Sequence, residues 1–140
     1  MKKSTQELLD LLKKSSSFDS YLQDNKAQLG TGQLSVLLEQ ILEEKHLNKS
    51  DCIQKSGLDR IYAYQIFSGL KLPSRDKILA LCRGMELNFE EVQQLLKQAG
   101  YPVLYPKNQR DCAFIYAFLH ELSVMELNFM LHDIGEPLCT

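Results

Sequence analysis

The chain lacks the sequence features that mark several common classes of protein. Its four cysteines are scattered with no C-x-x-C pair, so they form neither a zinc-ligand pattern nor a dense disulfide framework, and a reducing cytosol is the simplest compartment. No stretch approaches the roughly 20 apolar residues that a membrane span requires. The start, MKKSTQELLDLL, has two lysines but no long apolar run, unlike a signal peptide. We therefore expect a cytoplasmic protein with no membrane partner.

The motifs of common enzyme classes are missing as well. The three histidines show no H-E-x-x-H or comparable spacing, and no G-x-S-x-G, P-loop or G-x-G-x-x-G is present. Cys112 has no evident histidine partner, and we interpret it as a core cysteine. We predict that the protein is not an enzyme, uses no cofactor and binds no metal. The sequence contains no pattern that indicates a ligand pocket, so it does not identify a small-molecule effector.

The sequence consists instead of a succession of helical patterns, which predicts an all-α fold. No alternating run of apolar and polar residues reaches strand length. A long amphipathic helix is expected at about 33–46, and two last helices at about 109–121 and 124–134. Residues 30–32, Gly-Thr-Gly, are expected to form a flexible joint, with a short helix before it at about 19–27.

An internal repeat covers the second half of the chain. Residues 75–103 align without gaps onto 110–138, and each copy reads as helix, short turn, helix, Gly, any residue, Pro. The pattern indicates either a duplicated helix hairpin that stacks on its neighbour, or two hairpins that share capping and stop residues by necessity. The identical pairs are Arg75/Arg110, Asp76/Asp111, Glu86/Glu121, Leu87/Leu122, Glu91/Glu126, Leu96/Leu131, Gly100/Gly135 and Pro102/Pro137.

Residues 47–73, LNKSDCIQKSGLDRIYAYQIFSGLKLP, read as a helix, a tight glycine turn, a second helix and a Gly–Pro stop. This is the layout of a helix-turn-helix that reads DNA. Gly57 can adopt the positive φ that such a turn needs. Asn48 is the expected N-cap of the first helix, and Asp59 or its neighbour that of the second. Residues 45–77 carry seven Lys or Arg against three Asp, whereas both flanks are acidic. The charge indicates an electrostatic DNA footprint or, alternatively, chance clustering on a solvated face.

The motif residues follow the order of a known family: Leu47, Asn48, Gly57, Ile66, Gly69, Pro73, Ile78, Leu81 and the stretch from Phe89 to Leu96. The segment from about 34 to 96 resembles the DNA-binding domain of phage repressors, the Cro/C1-type or XRE family. The resemblance implies a lambda-repressor-like fold of five helices, with an N-terminal helix and a C-terminal helix hairpin outside it. Where the family often has a partly buried Arg–Glu ion pair, this chain has Leu42 and Phe67, a replacement that costs no stability when well packed.

The resemblance also implies where DNA would be contacted. Arg60 and Ile61 fall at the base-reading start of the recognition helix and Gln65 at a later base-reading position. Arg60 could pair with guanine, Gln65 with adenine, and Ile61 could touch a thymine methyl group. At the N-terminus of the first helix of the helix-turn-helix, the family's DNA contact falls on Lys49, where the family usually has Gln. Residues 68–71 fall in the loop that contacts the DNA backbone in the family. The candidate DNA-binding residues are Lys49, Arg60, Ile61, Tyr62, Tyr64, Gln65, Ser68, Lys71 and Arg75.

These observations predict three parts: an N-terminal helical segment at 1–30, a helix-turn-helix domain at 31–103, and a C-terminal helix hairpin at 104–140 packed on the core. The predicted function is that of a sequence-specific transcriptional regulator that binds double-stranded DNA through the major groove as a homodimer. The alternative is a protein-interaction adaptor that uses the same fold without DNA, through Ile61, Tyr62 and Tyr64. The apolar run at 112–131 could cover the core or form a dimer face.

Overall fold

The computed structural model of the protein describes residues 4–14 and 30–140, and these ranges contain eight α-helices and no strand. This confirms the all-α prediction, while the helix expected at 19–27 lies outside the described residues. None of the eight helices has both the length and the apolar character that a bilayer span requires. The helices are α1 (Thr5–Lys14), α2 (Gly30–Glu44), α3 (Lys49–Ser56), α4 (Arg60–Ser68), α5 (Arg75–Gly84), α6 (Phe89–Ala99), α7 (Gln109–Leu119) and α8 (Val124–Asp133).

Capping residues determine where most of these helices begin and end. The side chains of Asn48 and Asp59 each accept a hydrogen bond from the backbone N–H three residues later, as N-caps do. Asn88 and Ser123 form complete capping boxes, in which a glutamate side chain returns the hydrogen bond. Gly57 ends α3 in the left-handed conformation with φ +72°. The predicted caps and the predicted glycine turn are therefore confirmed.

The sequence predicts a flexible joint at residues 30–32, and this prediction is wrong. The three residues form the first turn of α2, which begins at Gly30. Glycine is a poor helix former, but α2 places Leu34 and Leu38 in the core with no exposed surface. Packing of an amphipathic face contributes more to helix stability than local propensity does, so the helix extends through both glycines.

A single apolar cluster joins α2 to α8. Leu38, Ile53 and Ile66 from the first half of the chain belong to the same cluster as Phe114 and Leu127 from the C-terminal hairpin. α3 packs closely on α5, and α2 contacts both α4 and α6. The hairpin α7–α8 therefore shares its core with the helices that precede it.

The backbones of α3 and α5 approach each other very closely at Gly84. A Cβ atom at this position would lie 2.4 Å from the carbonyl oxygen of Cys52 and 2.7 Å from the backbone nitrogen of Ser56. The Ser56 side chain is fully buried. Its hydroxyl donates to the carbonyl of Ile53 at 2.6 Å and accepts from the N–H of Leu58 at 3.2 Å. The glycine thus allows α3 to dock, and the serine holds the turn that leads into α4.

The two copies of the internal repeat face each other through crossed ion pairs. Arg75 donates two hydrogen bonds to Asp111, at 2.8 and 3.0 Å, and Arg110 donates to Asp76 at 3.0 Å. Each copy supplies one arginine and one aspartate, which is the reciprocal pattern of a two-fold arrangement and not of a translational stack. The helix contacts have the same symmetry, since α5 contacts α8 and α6 contacts α7.

The connections inside the repeat are also alike. Glu86 and Glu121 adopt left-handed backbone conformations, with φ values of 58° and 55°, although neither is glycine. His46, with φ 54°, has the same conformation between α2 and α3, and all three residues are followed by leucine and an N-cap. Because this connection also occurs outside the repeat, shared capping chemistry accounts for part of the sequence identity. The crossed Arg–Asp ion pairs are a second similarity between the two copies, and this one lies in their tertiary contacts.

Candidate nucleic-acid interface

A shallow depression on the surface of α3 and α4 brings together five of the nine candidate DNA-binding residues. Lys49 lines it from the N-terminus of α3, and Ile61, Tyr64, Gln65 and Ser68 line it from α4. On α4, Tyr64, Gln65 and Ser68 lie three, four and seven positions after Ile61, so the four residues lie on one side of the helix. The turn at Gly57 connects the two helices that form this depression.

Ile61 is the most exposed large apolar side chain of the described residues, with 71% of its surface accessible. Its neighbours in the depression are a lysine, a tyrosine, a glutamine and a serine. An exposed apolar group framed by polar ones can contact the methyl group of thymine or an apolar group of a protein. The depression therefore combines hydrogen-bonding side chains with one apolar contact.

Arg60 lies beside the depression and is held there by two neighbours. Its guanidinium donates to the hydroxyl of Ser50 at 3.0 Å and to the hydroxyl of Tyr64 at 3.3 Å. The guanidinium carbon also lies 5.2 Å from the centre of the Tyr64 ring, within the range of a cation–π interaction. Tyr64 and Ser50 thus orient Arg60. Ser50 is not among the residues predicted from the sequence, because its position ten residues before Arg60 does not mark it as a neighbour.

Lys49 is paired within the chain. Its ammonium lies 2.5 Å from Oε1 of Glu39 on α2 and 5.2 Å from the centre of the Phe67 ring. Phe67 and Leu42 are both buried in the core. They occupy the two positions at which the phage-repressor family often has an Arg–Glu ion pair. Glu39 was also missed by the sequence analysis, since it precedes Lys49 by ten residues and lies on another helix.

The remaining candidates lie elsewhere. Tyr62 is half-buried and packs against the core, because one residue along a helix turns the side chain by about 100° away from Ile61. Arg75 donates to the carbonyl oxygens of residues 102 and 103, both at 2.9 Å, in addition to Asp111. Its guanidinium is therefore committed to a structural contact. Lys71 is exposed in the loop that follows α4.

Ion pairs reduce the positive charge that the sequence concentrates at residues 45–77. Four of its seven basic side chains are paired with carboxylates that lie outside the segment. In the part of the chain that the structure describes, Arg60, Lys71 and Lys77 form no such pair. With ion-pair partners counted, the segment therefore keeps less net positive charge than the sequence suggests, because the four outside carboxylates are offset by only one outside base, Arg110 on Asp76. The four pairs are Lys45–Glu91, Lys49–Glu39, Lys55–Glu86 and Arg75–Asp111.

The apolar C-terminal run divides between core and surface. Phe114 and Phe118 are buried, whereas Met125 and Phe129 keep 68% and 65% of their surface exposed. The exposed pair lines a groove that α8 forms with the C-terminal end of α3 and with Leu138. The run thus supplies both a core and an apolar surface, and that surface meets the C-terminal end of α3, whereas Lys49 lies at the N-terminus of α3.

The cysteines do not form a reactive cluster. Burial raises the pKa of the Cys82 thiol to about 12 and that of Cys139 to about 11. Cys112 is exposed and its thiol donates to the carbonyl of Pro106 at 2.9 Å, so the interpretation of Cys112 as a core cysteine is wrong: it lies on the solvent side of α7. Among residues 4–14 and 30–140, no group of three or more His, Cys, Asp or Glu could hold a metal ion.

Comparison with known proteins assigns no family to the chain. No protein-family model, curated protein or solved structure matches it. The resemblance of residues 34–96 to phage repressors therefore stays a prediction, and the function has to be proposed from the geometry of the interface.

Proposed function

We propose that the protein is a cytoplasmic, sequence-specific transcriptional regulator that binds double-stranded DNA. In this proposal α2 to α6 form a lambda-repressor-like domain whose recognition helix, α4, enters the major groove. The observation that carries the proposal is the depression lined by Lys49, Ile61, Tyr64, Gln65 and Ser68. The N-terminus of the first helix and the outer face of the second are the surfaces that a helix-turn-helix presents to DNA.

The side chains of the depression suit distinct contacts. Arg60, oriented by Tyr64, would donate to O6 and N7 of guanine, and Gln65 would pair with the edge of adenine. Ile61 would pack on a thymine methyl group. Lys49 and the exposed Lys71 would contact phosphates, assisted by the free N–H groups at the start of α3. Base reading would thus depend on α4, and general affinity on the two lysines.

A homodimer belongs to the same proposal. One recognition helix reads only a few base pairs, and two-fold repressors place two such helices about 34–36 Å apart on palindromic half-sites. A dimer would therefore double the base contacts without any new kind of interaction. Sedimentation of the protein with and without a bound duplex measures this directly, and one protomer on a saturated operator-length duplex would refute the dimer.

A salt-dependent DNA titration tests the proposal. Fluorescently labelled genomic fragments are titrated with protein at several salt concentrations, and binding is followed by anisotropy. The logarithm of the association constant should fall linearly with the logarithm of salt, by about 0.9 per phosphate contact. Arg60→Ala should relax base preference at a cost of about 1–3 kcal/mol, and Lys49→Ala should weaken all sequences alike. Lys107→Ala, at an exposed position outside the depression, is the matched control.

The second candidate is a protein-interaction adaptor, and the exposure of Ile61 is the observation that favours it. A 71% exposed isoleucine among the residues that line the depression is suited to a hydrophobic contact with another protein. The ion pairing of Lys49 points in the same direction, because it offsets positive charge at the depression. Absence of DNA binding even at low salt would refute the regulator and leave the adaptor.

A further inference from the structure

Glu39 lies beside the DNA interface but contributes nothing that DNA could use. It is on α2, and its carboxylate approaches the Lys49 ammonium to 2.5 Å. Both side chains are partly exposed, with 48% of Glu39 and 34% of Lys49 accessible. A carboxylate oxygen and a phosphate oxygen are equivalent acceptors for an ammonium group. The carboxylate therefore occupies the contact that a DNA phosphate would make with Lys49.

We propose that Glu39 competes with the DNA backbone for Lys49 and thereby lowers the affinity for every DNA sequence alike. This inference rests on the proposed DNA-binding function and adds to it an internal control of affinity. When Lys49 turns to a phosphate, the bound state loses the Glu39–Lys49 ion pair. It also leaves the Glu39 carboxylate unpaired close to the negatively charged DNA, where it is repelled. Both effects oppose binding.

The two acidic residues of the helix-turn-helix segment itself, Asp51 and Asp59, have structural roles. Asp59 is the N-cap of α4 and accepts a hydrogen bond from the N–H of Tyr62. Asp51 lies in the first turn of α3, where a negative charge stabilises the helix. Glu39 caps no helix, and the hydrogen bond it receives from Lys49 is the contact that the competition removes. Its substitution should therefore change binding without changing the fold.

The chain also supplies a matched control. Lys55 and Glu86 form another exposed Lys–Glu pair, at 2.8 Å, with about the same chemistry. Lys55 lies six residues after Lys49, at the opposite end of α3 and about 9 Å along its axis. Glu86→Gln removes the same charge as Glu39→Gln but leaves Lys49 paired. The comparison separates release of Lys49 from a general change in net charge.

The test is an anisotropy titration of a labelled mixed-sequence duplex with the full chain at several salt concentrations. The variants are Glu39→Gln, Glu86→Gln, Lys49→Ala and the double variant Glu39→Gln/Lys49→Ala, with circular dichroism as the check on folding. Glu39→Gln should bind about threefold to fivefold more tightly than the wild type at low salt, with a smaller gain at higher salt. Its salt slope should be steeper by up to about 0.9, the limit reached where the wild type binds DNA with Lys49 still held by Glu39 and so makes one phosphate contact fewer.

The outcomes separate this inference from the proposed function. Equal binding by Glu39→Gln and the wild type overturns the competition and leaves DNA binding intact. A gain of the same size in Glu86→Gln, or an undiminished gain in the Lys49→Ala background, overturns it too, because Glu39 would then act by charge alone. Binding by Glu39→Gln where the wild type does not bind supports it. If no variant binds, the proposed function fails and the competition fails with it.

Discussion

Gly84→Ala tests whether the close approach of α3 and α5 determines the stability of the helix-turn-helix. The new Cβ atom would lie 2.4 Å from the Cys52 carbonyl oxygen and 2.7 Å from the Ser56 nitrogen, whereas ordinary contacts are 3.4–4 Å. Both neighbours are backbone atoms, so no side-chain rotation relieves the overlap. α3 would have to move by about 1 Å, and overpacking of this kind costs roughly 1–3 kcal/mol or more.

A second effect acts in the opposite direction. Gly84 is the last residue of α5, and alanine is favoured over glycine within a helix by up to about 1 kcal/mol. With the overpacking near 3 kcal/mol, the net loss in the free energy of unfolding should be about 2 kcal/mol. For a chain of this length that corresponds to a melting temperature lower by about 8 °C.

Urea unfolding followed by circular dichroism measures this loss, with Gly100→Ala as the control. Gly100 has no atom within 4 Å of a built Cβ, but its φ is +83°. Alanine there costs only the strain of a left-handed backbone, about 1 kcal/mol. Gly84→Ala should therefore lose clearly more stability than Gly100→Ala. A Gly84→Ala variant as stable as the wild type would show that the space between α3 and α5 is larger than these distances indicate.

Further predictions concern the crossed ion pairs, the turn and the thiols. Asp111→Asn should cost about 3 kcal/mol because it removes the carboxylate that neutralises the partly buried Arg75 guanidinium, whereas Asp76→Asn, whose carboxylate is 42% exposed, should cost below about 1 kcal/mol; urea unfolding compares them. Burial opposes ionisation of Asp111, but hydrogen bonds lower its pKa below the usual 3.8. Its stabilisation is therefore present above about pH 3.8 and lost as pH falls through the lower folded-state pKa, so acidification should destabilise Asp111→Asn less than the wild type. Ser56→Ala should lower the free energy of unfolding by about 1–3 kcal/mol through an unpaired buried N–H. In native protein a disulfide reagent should modify Cys112 alone; rapid reaction of any other cysteine would contradict the burial described.

The sequence predicts the helix ends well because the signals are local. Asn48 and Asp59 bond to the backbone three residues away, and Gly57 needs only its own φ, so a few adjacent residues carry the information. The Gly30–Gly32 prediction failed for the opposite reason. There the local signal is a poor helix propensity, and burial of Leu34 and Leu38, which depends on the rest of the fold, outweighs it.

The candidate site is predictable only in part for the same reason. Ile61, Tyr64 and Gln65 are spaced three and four residues apart on one helix, and this spacing alone places them on a common face. The partners of Lys49 and Arg75, by contrast, lie on other helices, and no spacing rule connects them. A cluster of basic residues in a sequence is therefore not sufficient to predict an interface, because acidic residues on other helices can pair with it in the folded protein.

The crossed pairs between Arg75–Asp76 and Arg110–Asp111 constrain how this sequence can evolve. Positions 75 and 76 are adjacent in the chain but belong to different pairs, so a substitution at one leaves the other's partner untouched. Position 75 depends instead on position 111, and position 76 on position 110. Across homologous sequences, changes at 75 should therefore be accompanied by changes at 111 and not at 76, and the buried 75–111 pair should vary less often than the more exposed 76–110 pair.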